Sequence, residues 1–209
     1  MELTGVMGTI HQVADKVSKF AYLNLLWALF TLVGLLVFGL FPATIAMFTV
    51  LRKIILKEDF NCFKLFWKTY KAEFFKGNLL GIVLVLINSI TFINVLFFRN
   101  MTGAIEFLFY PMVAIGILLF LMSLFVFPVY VHFDLHFLQI FKNSFSFMLL
   151  YPLSSLSIIV NSLIVLIILY QLPALVVFYS VSIIGLIIMT SANRAFQKNA
   201  EKIENAKLI

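Results

Sequence analysis

The chain has 209 residues, 63% of them hydrophobic and 11% charged, with mean hydropathy +1.10 and a formal net charge of +6. A soluble domain is about 45–50% apolar and about 25% charged, so these values exclude a water-soluble globular fold and leave room for little beyond membrane spans. The lone cysteine, Cys62, excludes an internal disulfide and a metal-binding cysteine cluster.

Residues 1–19 are polar and contain Glu2, Asp15, Lys16 and Lys19. They lack the basic start, short apolar run and small-residue site of a signal peptide, so the first apolar segment is expected to stay in the mature chain. Ile10, Val13, Ala14 and Val17 share one helical face, which predicts a short amphipathic helix running into the first span.

That span is predicted over Phe20–Phe41, closed by Pro42, because proline removes a backbone donor and obstructs the preceding turn. Asn24 and Trp27 are the best candidates within it for a polar groove. Thr44, just after Pro42, is expected to bond back to backbone as part of a structural hinge. If the helix after Pro42 re-enters the membrane, the number of crossings changes.

Residues 61–76 read NCFKLFWKTYKAEFFK. Phe63, Phe66, Tyr70 and Phe74 recur at helical spacing, Trp67 and Phe75 widen that side, and Lys64, Lys68 and Lys71 fall on another. A helix of this kind is expected to lie in the membrane interface, where each lysine gains about 1 kcal/mol near acidic headgroups. Its functional reading is a docking surface for a partner.

Spans follow over Asn78–Phe98 and Ile105–Val131. The third contains Phe127-Pro128, echoing Phe41-Pro42, and each pair precedes a short aromatic–basic segment. The echo raises an internal repeat, since paired broken helices can mark the site of a repeat-built transporter.

His132, Asp134 and His136 come next. On a helix the histidines, four apart, would share a face as a metal pair requires, but no third ligand lies nearby. The cluster is therefore read as interfacial polar groups, with a substrate or proton-linked role as the functional alternative.

From Asn143 to Asn193 there is no Lys, Arg, Asp or Glu. This stretch is long enough to cross over Tyr151–Tyr170, turn at Gln171–Pro173 and cross again over Leu172–Ala192. Residues 193–209 form a charged tail. Asn24, Asn88, Asn94 and Asn161 lie inside spans and are expected to cross-link helices, each bond contributing about 0.6 kcal/mol.

Five spans put the termini on opposite sides. Arg52, Lys53, Lys57, Lys64, Lys68, Lys71, Lys76, Lys142, Arg194, Lys198, Lys202 and Lys207 then share one face, against Lys16, Lys19 and Arg99 on the other. The positive-inside bias predicts an outside N-terminus and a cytoplasmic tail.

The run Asn24-Leu25-Leu26-Trp27, then Gly39-Leu40-Phe41-Pro42-Ala43-Thr44, resembles the opening of the YesL family, DUF624. Phe66-Trp67 with Tyr70, Gly77-Asn78 and Phe127-Pro128 fit the same pattern. The resemblance covers nearly the whole chain and is densest over residues 20–80. It implies a multi-pass protein of the bacterial cytoplasmic membrane with no established activity, whose genes often lie beside carbohydrate ABC importers and two-component regulators.

The expectation is thus an all-α membrane protein. A single polytopic domain over residues 1–209 has about five transmembrane helices plus amphipathic interfacial helices. No nucleophile–base pair, glycine-rich phosphate loop or paired carboxylate appears, so no enzyme and no cofactor are expected. The functional expectation is an accessory or regulatory partner of a carbohydrate ABC importer or a membrane sensor kinase. A small transporter or channel in its own right, working as a homo-oligomer, is the alternative. The partners are the lipid bilayer and such proteins, not nucleic acid.

Overall fold

A computed structural model describes residues 6–207, without the side chains of residues 6–13, 16, 104 and 207. Eight α-helices account for nearly all of it: α1 (Val6–Val33), α2 (Val37–Ile55), α3 (Cys62–Ala72), α4 (Phe74–Arg99), α5 (Phe109–His132), α6 (Phe137–Leu150), α7 (Pro152–Gln171) and α8 (Pro173–Lys207). A tight helical turn, Gly103–Leu108, leads into α5. No strand occurs among the described residues. The expected apolar face of Ile10 and Val13, and the expected outside position of residues 1–5, lie outside what is described.

Five helical stretches are long and apolar enough to cross a membrane: Val37–Ile55, Phe74–Arg99, Ile105–His132, Pro152–Gln171 and Pro173–Ala206. Their outer surfaces are large apolar side chains, such as Leu86, Ile90, Ile93 and Phe97 along α4 and Leu163, Ile167 and Tyr170 along α7. A water-soluble protein does not leave apolar area of this extent uncovered, and helices satisfy their own backbone in hydrocarbon. The chain is a multi-span membrane protein.

The first span differs from its expected bounds. The chain does not run helical from Phe20 to Phe41 but turns back at residues 34–36. Leu36 N–H donates to Thr31 O at 2.9 Å and Leu35 N–H to Leu32 O at 3.0 Å. These bonds form a helix-terminating motif that usually has glycine in its left-handed position. Here Leu35 takes it, with φ 57°, and Leu36 follows at φ 65°. The hairpin closes tightly because Gly34 and Gly39 meet. A Cβ on Gly34 would lie 2.2 Å from Gly39 Cα, and one on Gly39 would lie 2.5 Å from Thr31 O.

Pro42 therefore closes nothing. It lies inside α2 and is buried there. Proline cannot donate to the carbonyl four residues back, so Phe38 O needs another partner. Asn78 of α4 supplies it, its Nδ2 donating to Phe38 O at 2.9 Å and to Phe74 O at 2.7 Å. Gly77 leaves room for Ile45 of α2, since a Cβ there would lie 2.8 Å from Ile45 Cδ1.

Along its length α2 meets different helices. Phe41 and Pro42 face Gly81 and Gly77 of α4, Phe48 stacks on Phe127 of α5 at 5.9 Å, and Met47 and Leu51 meet Gly185 of α8. It runs across its neighbours instead of alongside one. Two apolar cores result. One joins α1, α2 and α3 around Leu23, Phe30, Met47 and Phe66, and the other joins α4 to α8 around Leu80, Phe125, Phe147 and Phe196.

The order long–short–long occurs twice, as α2-α3-α4 and α5-α6-α7. The two Phe-Pro steps do not match within it. Pro42 is in the first half of α2, whereas Pro128 lies four residues before the end of α5. The expected echo of two helices ended by proline is not present.

Candidate functional site

α3 is divided along its length. Asn61 caps its start, its Oδ1 accepting from Lys64 N–H at 2.9 Å. Phe66 is fully buried and Tyr70 nearly so, and both rings lie against Phe30 of α1, at 5.3 and 5.0 Å. Tyr70 also donates its hydroxyl to Phe30 O at 3.1 Å. Burial pushes that hydroxyl above its usual pKa, which keeps it protonated and able to donate. Phe66 and Tyr70 thus pack on the α1–α2 hairpin, while Phe63, Trp67 and Phe75 of the same aromatic set stay exposed. Lys64, Lys68 and Lys71 remain exposed. Trp67, at the edge, carries Lys71 Nζ 4.1 Å from its ring centroid, a cation–π contact.

Asn24 and Trp27 face inward. Trp27 Nε1 donates to Thr44 Oγ1 at 3.1 Å, and Thr44 Oγ1 donates to Leu40 O at 2.7 Å. Asn24, buried, reaches α8: its Nδ2 donates to Val177 O at 2.7 Å. Its Oδ1 accepts from Val181 N–H and Ser182 N–H, each at 3.0 Å. In a regular helix Val181 N–H would bond to Val177 O. The amide of Asn24 serves both groups and ties α1 to the first third of α8. The polar atoms of these three residues are thus engaged within the protein.

The histidines are not on one helix. α5 ends at His132, and α6 begins at Phe137. His132 packs on Phe133 and Phe196, with ring centroids at 4.6 and 4.7 Å. His136 caps α6 in a reciprocal arrangement with Gln139. The shared face expected for a metal pair does not exist, and no group of three metal-ligating side chains occurs among the described residues.

Asp134 instead lines a cleft of about 400 Å³ with His136, Glu73, Lys76 and Tyr130. Here the α3–α4 junction meets the end of α5 and the start of α6. Tyr130 donates its hydroxyl to the Glu73 carboxylate. Glu73, Lys76 and Tyr130 carry no local sequence signal for this role, because they come from segments that only the packing of α4 on α5 brings together.

Lys19 is also displaced from its expected place. It lies beside Ile54, Lys57, Asp59 and Cys62 at the open end of the hairpin. It therefore borders the basic loop that it was expected to oppose across the bilayer. Burial raises the Cys62 thiol above its usual pKa, and Lys19 acts in the opposite direction.

The sequence profile of the family described as "Protein of unknown function, DUF624" matches residues 20–95, which contain the hairpin, α3 and most of α4. The match extends well beyond this region in three proteins of Bacillus subtilis (strain 168). The chain is 38% identical over 186 residues to the uncharacterized protein YteU, covering 88% of this chain and 84% of that one. It is 36% identical over 197 residues to the uncharacterized protein YesV (93% and 95%) and 32% identical over 206 residues to the uncharacterized protein YesL (95% and 98%). The chain belongs to the DUF624 family. No solved structure matches it. The family's shared segment, residues 20–95, includes Asn24, Pro42, Gly77 and Asn78, the residues that tie α1 to α8 and α2 to α4.

Proposed function

We propose that this DUF624 protein is a non-enzymatic accessory or regulatory subunit that docks on a membrane or cytoplasmic partner through the lysine face of α3. The division of α3 carries this reading. Phe66 and Tyr70 are anchored in the core, while Lys64, Lys68 and Lys71 are exposed. Among the described residues the only ion pair is Lys53–Glu58, so no carboxylate neutralises these lysines, although Lys71 also meets the Trp67 ring. A fixed patch of one charge steers association and sets its register.

The partner class is a carbohydrate ABC importer subunit or a membrane sensor kinase, a choice that rests on the family resemblance alone. We place α3, α6 and the tail in the cytoplasm of a bacterial cell membrane. The end of the bundle that they form holds Lys71, Lys76, Lys142, Lys198 and Lys202, while the α4–α5 connection holds Arg99. This asymmetry supports a cytoplasmic basic end.

The test is recovery of partners from the native membrane in mild detergent. A stoichiometric importer or kinase is expected with the unaltered chain, and its loss is expected when Lys64, Lys68 and Lys71 are all changed to Gln. A homo-oligomer that recovers no partner and moves sugar in liposomes would replace this reading with a transporter.

A further inference from the structure

The cleft between the α3–α4 junction and the α5–α6 connection holds charges of both signs. Glu73 and Asp134 supply carboxylates and Lys76 an ammonium, yet no ion pair within 4.0 Å joins them among the described residues. Glu73 is fixed by the hydroxyl of Tyr130, which leaves the rest of its acceptor capacity facing the cleft. One edge is apolar: Leu79, on the outer side of α4, is 55% exposed. The cleft also lies at the end of spans α4 and α5, the level at which headgroups meet hydrocarbon.

A recess with two acceptor carboxylates, one cation and a lipid-facing apolar edge selects its ligand by chemistry. A primary ammonium offers three donors, whereas a quaternary ammonium offers none. A phosphate diester suits Lys76, and acyl chains suit the edge at Leu79. An anionic headgroup with hydroxyls could donate to the carboxylates but brings no positive charge to offset theirs, and its net charge repels them. We propose that this cleft seats the headgroup of a zwitterionic phospholipid bearing a primary amine. The ammonium lies between Glu73 and Asp134, and the phosphate lies on Lys76. The site is independent of the α3 docking face and uses none of its lysines.

The experiment measures lipid retained by the full-length protein after extraction from vesicles of equal parts dioleoyl phosphatidylethanolamine and phosphatidylcholine. Phosphatidylethanolamine is expected to be enriched about tenfold, the worth of one charge-assisted hydrogen bond. Asp134 is exposed and holds no element in place, so Asp134→Asn should keep the thermal transition while abolishing the enrichment. Lys76→Gln should lower retention of both lipids. Equal retention by the unaltered protein would overturn the proposal, as would enrichment undiminished in Asp134→Asn. Soluble glycerophosphoethanolamine displacing the lipid at equal concentration would show that the apolar edge contributes nothing, and would overturn the assignment to a lipid.

Discussion

At the scale of single residues, the decisive feature is a carbonyl made partnerless by proline and satisfied by a distant amide. Pro42 frees Phe38 O, and Asn78 binds it at 2.9 Å. Replacing Asn78 with Ala should destabilise the protein by about 1–3 kcal/mol, the cost of leaving a buried acceptor unpaired. The same change in a Pro42→Ala background should cost less, because an alanine there brings its own backbone N–H to Phe38 O. A coupling of about 0.5 kcal/mol or more in thermal unfolding in detergent is expected from this double-mutant cycle. Strict additivity would mean that the two residues act separately. Cys62 provides a pH test. Its thiol is raised by burial while Lys19 pulls it down, so the reactive thiolate is scarce at neutral pH. Alkylation should accelerate only in alkaline buffer, and Lys19→Gln should move that acceleration to still higher pH.

At the scale of elements, α3 separates stability from recognition. Phe66→Ala removes a fully buried ring at the contact with Phe30, so a loss of about 3–5 kcal/mol is expected. Changing Lys64, Lys68 and Lys71 together should leave the thermal transition within about 0.5 kcal/mol, as exposed positions do. Asn24→Ala removes the acceptor for Val181 and Ser182 N–H, and faster amide exchange should appear at those two residues of α8 before elsewhere in the helix. The lipid environment, the all-helical class and four of the spans are legible in the sequence, because length and hydropathy alone determine them. The lysine and aromatic sides of α3 are legible from spacing. Spacing cannot tell a bilayer from another helix as the apolar partner, so it does not separate Phe66 and Tyr70, which meet the hairpin, from Phe63, Trp67 and Phe75, which stay exposed. The turn at residues 34–36 is hidden for a related reason. Its left-handed position holds Leu35, and no Pro, Asn, Asp or Ser marks residues 34–36, so the only local sign is the pair Gly34 and Gly39. Pro42 then reads as a terminator, although the compensating Asn78 lies a whole helix away. Asp134 stands out in the sequence, but its neighbours Glu73, Lys76 and Tyr130 do not, since their meeting depends on how α4 packs on α5.

At the scale of the whole molecule, the hairpin alters the path through the bilayer. α4 and α5 run antiparallel, as Asn88–Ser123 at 3.0 Å and Glu73–Tyr130 require, and α7 and α8 do the same about Leu172. Each pair returns the chain to the side from which it entered. The α1–α2 hairpin also returns it, bringing Lys19 beside Lys57 and Asp59. These charges lie close together at one edge, and charged groups at the bilayer centre are costly, so this edge must reach water. A single crossing over residues 20–41 would instead place Lys19 and Asp59 on opposite faces. Single cysteines decide between the two paths. With Cys62→Ser as background, Lys19→Cys and Asp59→Cys should both react with an impermeant maleimide from the same side of sealed vesicles. Asn100→Cys and Lys202→Cys should react from opposite sides, since α4 and α8 end at opposite ends of the bundle. Labelling of positions 19 and 59 from different sides would restore the uninterrupted first span and remove the hairpin from the membrane-embedded fold.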